Sequence, residues 1–301
     1  MREFPYVQTS VFVDERMSFG GNQLATYWKT EANAILAQEE MQGMALEMNF
    51  SESTFLVESS NKDCDLKVRI FTPAAEIPFA GHPTLGTAFV LKHKQILGSG
   101  KQTAMLELGV GPIRVDFLDN GLIRMIQPKP TFGTIIDDVS KIAQVIGLTS
   151  DDIAQSSPIQ IVSTGFPFII VPIKTLAAVK RAVPVPPLFD TNLSDLSTKQ
   201  VLIFSTETTH SDSHVHARMF GPDVGVVEDP ATGSAAGPCG AYLEKYKLLS
   251  NHKIGTPINI EQGYEIERPS KLVVTVPNES MKEVHVSGKV RLIAEGTFYL
   301  P

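Results

Sequence analysis

Arg69-Ile70-Phe71-Thr72-Pro73 recurs as Arg218-Met219-Phe220-Gly221-Pro222, an offset of 149 (218 minus 69) in a chain of 301 residues. A repeat period close to half the chain length is the mark of a duplicated unit. Upstream, at the same offset, Phe55 answers to Phe204 and Glu58 to Glu207. Downstream, His82-Pro83-Thr84-Leu85-Gly86-Thr87-Ala88 recurs as Asp229-Pro230-Ala231-Thr232-Gly233-Ser234-Ala235, with the offset reduced to 147 (229 minus 82). Three matches in the same order predict two equivalent halves, residues 1–128 and 129–301, that meet near Pro128 to Thr131.

Each half reads as mostly strand with one buried helix. Leu66 to Phe71, Val201 to Phe204, Val215 to Phe220 and Leu272 to Val276 have the composition and period of strands. Pro83 to Leu91 is apolar or small nearly all round, and Pro230 to Leu243 is rich in Gly and Ala. A helix without a polar face must be enclosed, and a sheet curled around it is the economical enclosure. The fold class is therefore α+β, each half a curled, mostly antiparallel sheet around a central helix. Amphipathic helices are expected outside these sheets at 31–48, with Ile35, Leu36, Met41, Met44, Ala45 and Met48 on one face, and at 137–146. The proline-rich Val183 to Pro187 reads as a surface connection.

Composition narrows the function. With 43% hydrophobic and 20% charged residues the chain has material for two cores. Its longest strongly apolar run, Phe166 to Ile173, holds two prolines and falls far short of the roughly 20 residues that span a bilayer. The N-terminal residues lack the features of a secretory signal, so a cytoplasmic protein is expected. Cys64 and Cys239, far apart in sequence, suit free thiols in a reducing compartment. A net charge of −7 and the lack of a basic stripe argue against nucleic acid as a partner. A small organic molecule is the expected substrate.

The repeated junction carries chemistry. His82 and Asp229 each precede a proline, a residue favoured at the first helical position, which makes both candidate N-caps. Gly86-Thr87 and Gly233-Ser234 keep the first turns free of bulk. A helix N-terminus offers unpaired N–H groups and a positive dipole end, and so attracts carboxylates and phosphates. Two such junctions related by duplication are expected to face one another across an anion-binding cleft.

Several stretches together resemble the PhzF (phenazine biosynthesis-like) family. They are Gly20-Gly21-Asn22-Gln23-Leu24-Ala25, Asn49-Phe50-Ser51-Glu52-Ser53-Thr54-Phe55, Phe79 to Ala88, Glu228 to Gly237, Gln262-Gly263 with Arg268, and Val286-Ser287-Gly288-Lys289-Val290. The likeness runs in order along essentially the whole chain. It implies two diaminopimelate-epimerase-like halves with the active site between them. It also implies a homodimer that uses no metal and no organic cofactor. The family's type member isomerises trans-2,3-dihydro-3-hydroxyanthranilic acid on the way to phenazines, but the substrate does not follow from the resemblance.

By that resemblance Glu52 is the proton-shuttling carboxylate, His82 and Asp229 are the groups around it, and Ser234, with Gly81 and Gly233, binds substrate. Moving a hydrogen between carbons needs one group that removes a proton and returns it elsewhere, and a partly buried glutamate with a raised pKa can do both. Read from the residues alone, Glu52 is a solvated glutamate ahead of a strand. The rival reading is a protein of the same fold that binds a small acid or a protein partner without catalysis. Epimerases and racemases of the parent fold use two opposed cysteines, whereas Ala80-Gly81-His82 and Asp229 to Ala236 contain none, which argues against racemisation.

Other signals are weaker. Gly98-Ser99-Gly100-Lys101 reads as a turn, since Gln95 and Gln102 stand where a phosphate-binding loop needs Gly and Ser or Thr. His210, His214 and His216 read as exposed histidines around a hairpin rather than as metal ligands. Gly109-Val110-Gly111 precedes a strand-like run, so neither NAD nor FAD is implied.

Overall fold

A computed structural model describes residues 1–29 and 36–300. They form two compact units, Met1–Ile126 joined by the C-terminal segment from Ser287, and Gln127–Val286. The first begins β1 (Arg2–Val11), β2 (Asn22–Trp28), α1 (Gln38–Met48), β3 (Glu52–Val57), β4 (Leu66–Phe71) and β5 (Glu76–Ile77). It continues α2 (Gly81–His93), β6 (Thr103–Leu108), β7 (Gly111–Phe117) and β8 (Ile123–Pro128). The second contains β9 (Thr131–Ile135), α3 (Val139–Val145), β10 (Gln160–Ser163), β11 (Pro167–Pro172), α4 (Leu176–Arg181) and α5 (Pro186–Asn192). After these come β12 (Val201–Ser205), β13 (Val215–Gly221), β14 (Val226–Asp229), α6 (Gly233–Tyr246), β15 (Ile258–Gln262), β16 (Ser270–Thr275) and β17 (Glu283–Gly288). The chain then returns to the first unit with β18 (Val290–Leu300).

Both units run through the same series of pairings. In the first, β1–β2 is antiparallel, β2–β3 parallel, β3–β4 antiparallel, β4–β6 parallel and β6–β7 antiparallel, with short β5 beside the end of β4. In the second, β10–β11, β11–β12, β12–β13, β13–β15 and β15–β16 repeat that order, with β14 in the place of β5. Each is a mixed sheet with few helices, in keeping with an α+β class and with duplication. The expected division at residue 128 differs in its C-terminal part. The place beside β10 is taken by the local strand β9, but the equivalent place beside β1 is taken by β18, so residues from Ser287 onward belong to the first unit.

The repeat is in register at β4 and β13. Arg69 lies 5.2 Å over the Phe71 ring and pairs with Glu76 of β5, as Arg218 lies 5.0 Å over Phe220 and pairs with Glu228 of β14. On the preceding strand the match of Phe55 with Phe204 is off by one. Phe55 pairs with Arg69, whereas the residue opposite Arg218 is Ile203. A one-residue slip turns a strand's side chains to the other face. Phe55 accordingly packs with Phe71 and Tyr27, Ile203 with Phe220, and Phe204 instead meets Tyr242 of α6, with ring centroids 5.9 Å apart.

The helices lie on the faces that the patterns require. In α2, Gly81 through Ala88, Val90 and Leu91 are buried, and in α6 everything from Gly233 to Leu243 is buried. The other faces are covered by α1, through Met41, Met44 and Ala45, and by α3–α5, through Ile142, Val179 and Phe189. The part of the expected 31–48 helix that includes Ile35 lies outside the described residues; the described helix is α1, with Leu36 and Met48 partly buried against its core. No helix among the described residues is long and apolar enough to cross a membrane.

Candidate functional site

In the first unit, α1 ends on Asn49, in the left-handed region at φ 53°, whose N–H donates to the Ala45 carbonyl at 3.0 Å. Asn tolerates that conformation better than most residues. The chain turns there, and three residues later Glu52 opens β3. Side chains alternate along a strand, so Glu52 and Thr54 share the face that α2 covers. Thr54 Oγ1 donates to Thr26 Oγ1 at 2.9 Å; with its proton committed, it accepts from Thr87 Oγ1 of α2, also at 2.9 Å. This buried hydroxyl chain ties the helix to the strands. Gly86 permits the close approach, since a Cβ there would stand 2.5 Å from Leu24 Cδ2 and 2.8 Å from Val11 Cγ2.

The docked helix brings His82 to Glu52. His82 Nε2 lies 3.2 Å from the Gln23 carbonyl and 3.4 Å from Glu52 Oε2. Burial pushes the imidazole down to about 3, against the opposing pull of the Gln23 carbonyl, so it is neutral at ordinary pH. A ring nitrogen between two acceptors must carry the proton, which assigns it to Nε2 and leaves Nδ1 as the lone pair. His82 is therefore neutral, with its Nε2–H given to the Gln23 carbonyl and Glu52 Oε2 beside it at 3.4 Å, rather than an ion-pair partner. The Glu52 side chain is 14% exposed, which replaces the picture of a solvated glutamate with a half-buried one that still reaches solvent. Gly81 is the first residue of α2 and is buried.

In the second unit, Asp229, Gly233 and Ser234 are gathered at the start of α6 and are all buried. Asp229 ends β14 opposite Met219, and its Oδ2 accepts from Thr232 Oγ1 at 2.5 Å. Buried Gln127 donates from Nε2 to the Gly233 carbonyl at 2.9 Å and accepts from Thr164 Oγ1 at 2.6 Å. Within the units, then, Glu52 stands with His82 and Gly81, and Asp229 with Gly233 and Ser234.

Neither His82 nor Asp229 occupies an N-cap position. The caps are Ala80 and Thr232. Pro83 sits third in α2, where an N–H would lack an intrahelical partner anyway, so the helix begins ahead of His82. Asp229 stays extended because it belongs to the β13–β14 ladder, and α6 begins only after Thr232. Thr232, Gln127 and Gln262 are the neighbours of the site that the sequence analysis gave no role. The Asp-x-x-Thr spacing was a visible local signal for the first, whereas the glutamines come from distant strands.

The histidines also differ from expectation. His216 is fully buried, with Nδ1 2.7 Å from Glu261 Oε1 and Nε2 3.0 Å from Glu265 Oε1. His214 Nδ1 accepts from the Asn259 N–H at 3.0 Å. The strand register, which sets Glu261 beside His216, is the reason. Burial pushes the Cys239 thiol up to about 12, so it remains a thiol at neutral pH. Gly98–Lys101 lies outside regular structure, and Gly109–Gly111 leads into the strand β7, as expected, where it also closes a hairpin with β6.

Comparison with known proteins places these motifs in context. The phenazine biosynthesis-like protein family profile matches residues 9–296. The trans-2,3-dihydro-3-hydroxyanthranilate isomerase of Pseudomonas aeruginosa is 35% identical over 301 residues, 98% of this chain and 99% of the relative. The crystal structure of a PhzF-family phenazine biosynthesis protein from Bacillus anthracis matches with a TM-score of 0.86 at 28% identity, covering 100% of both chains. A probable proline racemase from Agrobacterium radiobacter K84 has a TM-score of 0.66 at 9% identity, over 99% of this chain and 93% of its own, a likeness of fold alone.

Proposed function

The chain belongs to the phenazine biosynthesis-like (PhzF) family, and on that premise we propose that it is a cofactor-independent isomerase of a small cyclic or amino-acid-like carboxylic acid. The observation that carries the reading is the half-buried Glu52 carboxylate beside the N–H of a neutral, buried His82. A carboxylate in partial isolation from water can take a proton from one carbon of an unsaturated ring and, as the acid so formed, return it to another. The electron pair of the broken C–H bond moves along the conjugated system to the carbon that receives the proton, and no co-reactant is consumed. His82, held by the Gln23 carbonyl, is the neutral group that flanks Glu52 Oε2. Asp229 binds a polar substituent, and Ser234, with Gly81, Gly233 and the helix-start amides, holds the substrate carboxylate. Duplication supports related roles for His82 with Gly81 and for Asp229 with Gly233, because each pair sits at or next to the junction between the fifth strand of its series and the central helix. The second reading of the sequence, binding without turnover, is the outcome that the test must exclude.

The test is turnover of cyclic hydroxy-amino acids, beginning with trans-2,3-dihydro-3-hydroxyanthranilate, in deuterated water with the product examined by NMR. Deuterium at the new C–H position is expected, and Glu52→Gln should lower kcat by about 10² to 10⁴ while substrate still binds. A Glu52→Gln protein that turns substrate over at the unsubstituted rate would show that the proton travels by another group. We further infer a homodimer, which sedimentation at micromolar concentration would reveal as twice the chain mass.

A further inference from the structure

Asp229 is oriented by a set of side chains whose donors and acceptors can be assigned without ambiguity. Thr232 N–H reaches Gln262 Oε1 at 3.3 Å, which fixes the orientation of the amide. Gln262 Nε2 then has two protons and two acceptors, the Asp229 carbonyl at 2.8 Å and Thr232 Oγ1 at 3.0 Å. Because Thr232 Oγ1 accepts from Gln262, its own proton is turned to Asp229 Oδ2, 2.5 Å away. Gln262 and Asp229 are almost wholly removed from solvent, at 1% and 5% exposure, so water competes poorly with this order.

The backbone around Gln262 is equally constrained. Gly263, at φ +80°, places its missing Cβ 2.5 Å from the Pro230 carbonyl and 2.4 Å from that of Arg268, so the turn after β15 is pressed onto the residue that follows Asp229. The charged groups on the surrounding elements have partners of their own. Glu228 is held by Arg218, and Glu261 and Glu265 by His216; Arg268, in the same turn, is itself partly withdrawn from water.

We propose that Gln262 is a positioning residue for Asp229, acting through the Thr232 hydroxyl, which it polarises so that its proton points at the carboxylate. The relay favours the ionised form of Asp229 and holds one of its oxygens in place, leaving the carboxylate set to accept from a hydroxyl or ammonium of the substrate. The role rests on the reading of Asp229 as a substrate-contacting group.

The experiment is a titration of the full-length protein without substrate, following Asp carboxyl carbons by NMR after selective ¹³C labelling, with Asp229→Asn to assign the signal. Loss of one hydrogen bond to a charged acceptor should raise the Asp229 midpoint by about one to two pH units in Thr232→Val, and Thr232→Ser should restore it. Gln262→Glu should raise it as well, because a carboxylate at 262 draws the threonine proton away from Asp229. In Thr232→Val/Gln262→Glu the shift should be smaller than the sum of the two. Gln262→Met, which removes the donor without adding charge, should raise the midpoint less and add nothing in the Thr232→Val background. An unmoved midpoint in both Gln262 variants, additive shifts, or a Thr232→Ser protein that behaves like Thr232→Val would each overturn the relay. None of these outcomes depends on turnover, so failure of the isomerase reading and failure of the relay are separately visible.

Discussion

Replacing His216 by leucine tests whether buried charge holds the second unit together. The imidazole is fully buried between Glu261 and Glu265, at 2.7 and 3.0 Å. Burial opposes its charge, but the hydrogen bonds and charges of the two carboxylates outweigh burial and hold it above its ordinary value. Glu261 and Glu265 are both held below theirs despite their own burial, His216 being the main cause. Breaking a buried pair by removing one partner costs about 3–5 kcal/mol. Glu261 would keep the N–H groups of Thr209 and His210, and Glu265 would keep Arg218 at 3.8 Å, which favours the lower end of that range. For a unit of this size, about 3 kcal/mol lowers Tm by about 6–12 °C. A raised histidine contributes fully below its unfolded pKa of about 6.5, and the contribution is lost as pH rises through the higher folded value. The lowered carboxylates contribute above their unfolded values of about 4.3 and lose this as pH falls. Thermal unfolding by circular dichroism should therefore show the widest gap between the unsubstituted protein and His216→Leu near pH 6, and a narrower gap at pH 9. A gap that is equal or larger at pH 9 would refute the charged-histidine account, and a Tm change under about 2 °C at pH 6 would refute the estimate of its size.

Arg218→Ala, which breaks a pair only 6% and 8% exposed and frees the Val179 and Ala182 carbonyls, should cost about 3–5 kcal/mol in urea unfolding. The repeated Arg69→Ala, at the more exposed pair with Glu76, should cost about 1 kcal/mol or less. Thr54→Val strands the hydroxyls of Thr26 and Thr87 in the first core and should lower stability by about 1–3 kcal/mol, with Thr54→Ser recovering most of the loss. Gly240→Ala places a methyl carbon 2.4 Å from Val274 Cγ1 and should cost about 1–3 kcal/mol, read in the same denaturant titration.

What the chain announces by itself is what local chemistry encodes. The duplicated Arg-x-Phe strands, the apolar lengths that become α2 and α6, the strand that follows Gly109–Gly111 and the motif around Glu52 could all be read in one dimension, because strand period, helix enclosure and turn chemistry depend on near neighbours. Strand partners and register do not. Whether β9 or β18 lies beside a first strand, and whether Phe55 corresponds to Ile203 or Phe204, depends on pairing across many residues, where a slip of one position turns every side chain to the opposite face. Protonation states belonged to the tertiary structure for the same reason. His82 and His216 are the same residue type, yet His82 is neutral because α2 buries it against a carbonyl, and His216 tends to the charged form because β15 and the turn after it set two carboxylates against its ring. Likewise, the threonine three residues beyond Asp229 was visible in the sequence, but the direction of its proton was decided only when Gln262, brought in from β15, took up its acceptor side.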